Sequence, residues 1–65
     1  MEYEKDIRNI IKEKDRLAYM REHLGDGGLF HTPYGKFSSK ARAAKDKIME
    51  AINALHEAEL ILRNP

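Results

Sequence analysis

The chain has no cysteine and no tryptophan, and only two prolines and four glycines in 65 residues. Without cysteine, disulfides and thiolate metal sites are excluded, and nothing ties the protein to a redox compartment. No apolar run approaches the roughly 18 residues that a membrane-spanning helix requires, and charge begins at Glu2. Neither a transmembrane segment nor a secretory leader is expected, which leaves the cytoplasm as the default setting. The helix breakers are gathered rather than scattered: Gly25, Gly27, Gly28, Pro33 and Gly35 fall together, and Pro65 stands alone. The stretches on either side are free to be helical.

Both stretches carry helical periodicity. In the first, about 2–24, Tyr3, Ile7, Ile10, Lys14, Leu17, Arg21 and Leu24 recur with the alternating four-three spacing of a heptad seam, and Ile11, Ala18 and Met20 widen it. Glu2, Glu4 and Asp6 suit the positive end of a helix dipole, and Arg21 suits the negative end. In the second, about 39–63, the same spacing picks out Ala41, Ala44, Ile48, Ala51, Leu55, Ala58 and Leu62. Alanines at 44, 51 and 58 would let a neighbouring backbone come close, with Tyr3, Ile7, Ile10 and Leu17 filling the space opposite. Lys14 and Arg21 within the seam either snorkel to its rim or fix its register and oligomeric state.

The expected fold is therefore all-α, a single domain over 1–65. It is an antiparallel two-helix hairpin with a long glycine-rich connecting loop over 25–38, and Gly25 is the left-handed stop of the first helix. A chain this short buries only about 60% of its unfolded surface, so a lone core is marginal. Leu60, Ile61 and Leu62 point in three directions, and Met49, Ile52 and Ala54 lie beside the main seam. This apolar excess predicts a homo-oligomeric helical bundle.

The net charge of +1 conceals a basic middle. Residues 25–47 hold Asp26 and Asp46 against Lys36, Lys40, Arg42, Lys45 and Lys47, whereas 48–65 hold Glu50, Glu57 and Glu59 against Arg63. Ser38 and Ser39 are good N-cap residues for the second helix, yet Ala41 and Arg42 occupy the places where a reciprocal capping box needs Glu or Gln. Cations at a helix N-terminus oppose its dipole. An anion held by the free backbone N–H groups would relieve that opposition. Ser38 and Ser39 would add hydroxyls, Lys36, Lys40 and Arg42 charge, and Tyr34 or Phe37 a stacking surface. The competing account is that Glu22, Asp26 and the negative end of the first helix supply the compensation.

Other chemistries find less support. Gly-Asp-Gly-Gly lacks the lysine-serine/threonine ending of a P-loop and the strand of a dinucleotide fingerprint. His23, His31 and His56 include no pair four apart, so no metal site is expected. Nothing provides an oxyanion hole for Ser38 or Ser39 with His31, so the protein is not expected to be an enzyme and no cofactor is implied. A helix-turn-helix reader needs a shorter turn, so sequence-specific DNA binding is disfavoured. The connection is long for a helix pair and holds Phe30, Tyr34 and Phe37 among the chain's five aromatics. With Leu29 and His31, Phe30 could anchor in the groove of a protein target, making the chain an adaptor or inhibitor.

Ala44 followed by Ile48-Met49-Glu50-Ala51 resembles the helical hairpin of phage proteins that sequester nucleotide second messengers of bacterial defence. The resemblance implies a small viral, anti-defence oligomer in the host cytoplasm that binds cyclic or ADP-ribose-type nucleotides without hydrolysing them. The expected function is thus non-enzymatic binding of a phosphate-bearing, nucleotide-like ligand.

Overall fold

The structure is a computed structural model that describes residues 2–25 and 39–64. It has two helices, α1 (Glu4–His23) and α2 (Ser39–Arg63), and no strand among the described residues. Tyr3 precedes α1 without a side-chain cap, so the exposed N–H groups of the first turn rely on Glu4 and Asp6 for electrostatic compensation. Arg21 and His23 balance the other end. Gly25 follows with φ of 90° and is the only described residue in the left-handed region. Any side chain there would cost strain, which is why a glycine ends this helix.

The helices pack against each other and run antiparallel. Lys14 meets Glu59 and His56, while Arg63 lies beside Ile7 and Ile11, so numbers fall on one helix as they rise on the other. The α1 stripe follows the expected spacing: Ile7 is buried, and Ile10, Ile11, Lys14, Leu17, Arg21 and Leu24 are half-buried. Tyr3 does not take part. It is 45% exposed, because on the register set by Lys14 and Glu59 it lies beyond Arg63, the last residue of α2.

On α2 the expected seam is widened and, at one position, corrected. Ala41 is buried and Ala44, Ile48, Leu55, Ala58 and Leu62 are half-buried, as the spacing predicts, whereas Ala51 is exposed. Lys45, Ile52 and Glu59, half-buried or buried, join the stripe from its other edge. Ile52, expected as an oligomer contact, belongs to this intrachain stripe. The reason is electrostatic: Lys14 is committed to the seam, and turning Glu59 towards it pairs two charges that would otherwise be buried alone.

This alignment also staggers the helices. From Lys14 opposite Glu59, ten residues along α1 reach Leu24, and the matching ten on α2 reach Met49. The first two to three turns of α2 therefore extend past the end of α1, by about 12–15 Å at 1.5 Å per residue.

Candidate functional site

The candidate anion site is at the start of α2. Ser39 is the first residue of the helix, its first turn has no acidic residue, and Ser39, Lys40 and Arg42 are all exposed. Leu29, Phe30, His31, Tyr34, Lys36, Phe37 and Ser38 lie outside the described residues, as does Asp26. The stagger bears on the competing account of the charge. Glu22 stands beside the middle of α2 and not beside Ser39, more than a Debye length at physiological salt from the helix start. The carbonyl end of α1 is displaced with it. Among the described residues, neither feature of α1 faces the cationic turn.

A second polar cluster lies inside the hairpin and was read in the sequence only as tail charge. Glu59 is buried, with 7% of its surface exposed. Its Oε1 accepts from the Lys14 ammonium, and its Oε2 accepts from Arg63 Nε at 2.8 Å. The Lys14 ammonium also donates to Nδ1 of the exposed His56 at 3.2 Å, a contact in which the imidazole nitrogen must accept. These hydrogen bonds, the one from Lys14 first, hold the Glu59 carboxyl below its ordinary value against the opposing effect of burial. A general acid needs the reverse shift. With both oxygens engaged by cations, Glu59 is built to hold the helices together and not to move protons. The sequence signal was available in hindsight: Glu59 is four residues before Arg63 and on the heptad line of Lys45 and Ile52.

Arg21, also in the seam, differs. Its Nε is buried and has no hydrogen-bond acceptor among the described residues. On the outer surfaces, Lys47 meets Glu50 at 3.2 Å and Arg16 meets Glu13 at 3.6 Å, both within a single helix. Tyr19 and His23 stack one turn apart, with ring centroids 4.3 Å apart. A groove of about 350 Å³ opens between the ends of the hairpin, lined by Glu4, Ile7, Arg8, Ile11 and Arg63. Its cations stand with Glu4 and Glu59, whereas the first turn of α2 has no acidic residue.

No described group of histidines and acids could hold a metal ion. Among the described residues no helix is long and apolar enough to cross a membrane. Set against protein-family models, curated proteins and solved structures, the chain matches none.

Proposed function

We propose that this chain is a non-catalytic binding protein that holds a phosphate-bearing, nucleotide-like ligand at the start of α2. The observation that carries the reading is a helix start whose first turn has no acid, with Ser39, Lys40 and Arg42 exposed and the carboxylates of α1 among the described residues displaced along the hairpin. Backbone N–H groups and the Ser39 hydroxyl would donate to phosphate oxygens, and Lys40 and Arg42 would supply charge. Lys36, Ser38, Tyr34 and Phe37 would complete the site from the adjoining segment. Sequestration, as in the phage proteins that the second helix resembles, needs tight binding and no bond cleavage.

Titration calorimetry with ADP-ribose, a cyclic dinucleotide and inorganic phosphate tests the reading, with recovery of the ligand to check that it is intact. Saturable heat that weakens more than tenfold in a Lys40→Glu, Arg42→Glu variant is expected, a loss above about 1.4 kcal/mol. Absence of heat from every probe at high protein concentration would refute the proposal. Capture of a protein target that is lost on Phe30→Ala would favour the adaptor reading instead.

A further inference from the structure

We draw no further inference here: the strongest candidate, the groove between the ends of the hairpin lined by Glu4, Ile7, Arg8, Ile11 and Arg63, carries nothing, because its Arg63 is already engaged by Glu59 and nothing in the structure shows what covers the rest of it.

Discussion

Replacing Arg21 by methionine should stabilise the hairpin. Arg21 is half-buried in the seam between the helices, and its Nε is shut away from water with no acceptor among the described residues. A buried donor left unmatched costs about 1–3 kcal/mol. Arg21→Met keeps a long unbranched stem in the same space and removes the donor, while the helix propensities of the two residues are nearly equal. Against the gain stands the loss of one cation from the last turn of α1, worth about 0.3–1 kcal/mol. The balance is a stabilisation of about 1 kcal/mol, which for a chain of this size raises the melting temperature by about 4–8 °C. Far-ultraviolet circular dichroism melts at matched protein concentration measure it. Arg16→Met, at an exposed position paired only with Glu13, is the control and should change stability by less than about 0.5 kcal/mol. A melting temperature for Arg21→Met several degrees below that of the parent would refute the reasoning, because it would mean that the guanidinium is a net stabilising group where it sits.

Other outcomes follow from the same structure. The depressed Glu59 carboxyl contributes stability that is complete above the unfolded carboxylate range, about pH 4–4.5, and is lost as pH falls through its lower native value. Acid titration of unfolding should therefore be flatter in Glu59→Gln than in the parent, and parallel curves would contradict the assignment. Ile7→Ala removes the best-buried large side chain and should cost about 2 kcal/mol, at the lower end for isoleucine because an open hairpin can partly collapse; chemical denaturation gives the value. Gly25→Ala, at a φ of 90°, should cost about 1 kcal/mol in the same assay.

The first helix was legible because its apolar residues and its buried face coincide: Ile7, Ile10, Leu17 and Leu24 are aliphatic and all of them pack inward. The second was legible as a helix and in most of its inward positions, but not in the part that Lys45, Ile52 and Glu59 take in the stripe. Two heptad lines compete on it, one of alanines and one of Lys45, Ile52 and Glu59, and hydrophobicity alone favours the alanines. What decides is a pairing across the hairpin, between Lys14 and Glu59, which no periodicity within one segment can show. Tyr3 was misplaced for a related reason, since its burial depends on where α2 ends relative to α1. At the candidate site, Ser39, Lys40 and Arg42 were readable from local capping and charge rules, whereas the distance of Glu22 from them depended on the stagger.

A two-helix hairpin whose stripes both repeat every seven residues could in principle slide by one repeat and still match leucine to isoleucine. The Lys14 to Glu59 link forbids this. Sliding one way sets the Glu59 carboxylate against Ile7 and the Lys14 ammonium against Ile52, stranding two charges among hydrocarbons. Sliding the other way gives Glu59 to Arg21 but carries Lys14 past the end of α2 and uncovers about half of the contact at 1.5 Å per residue. A single ion pair thus acts as a latch with one notch, and a chain with little core closes in one position only.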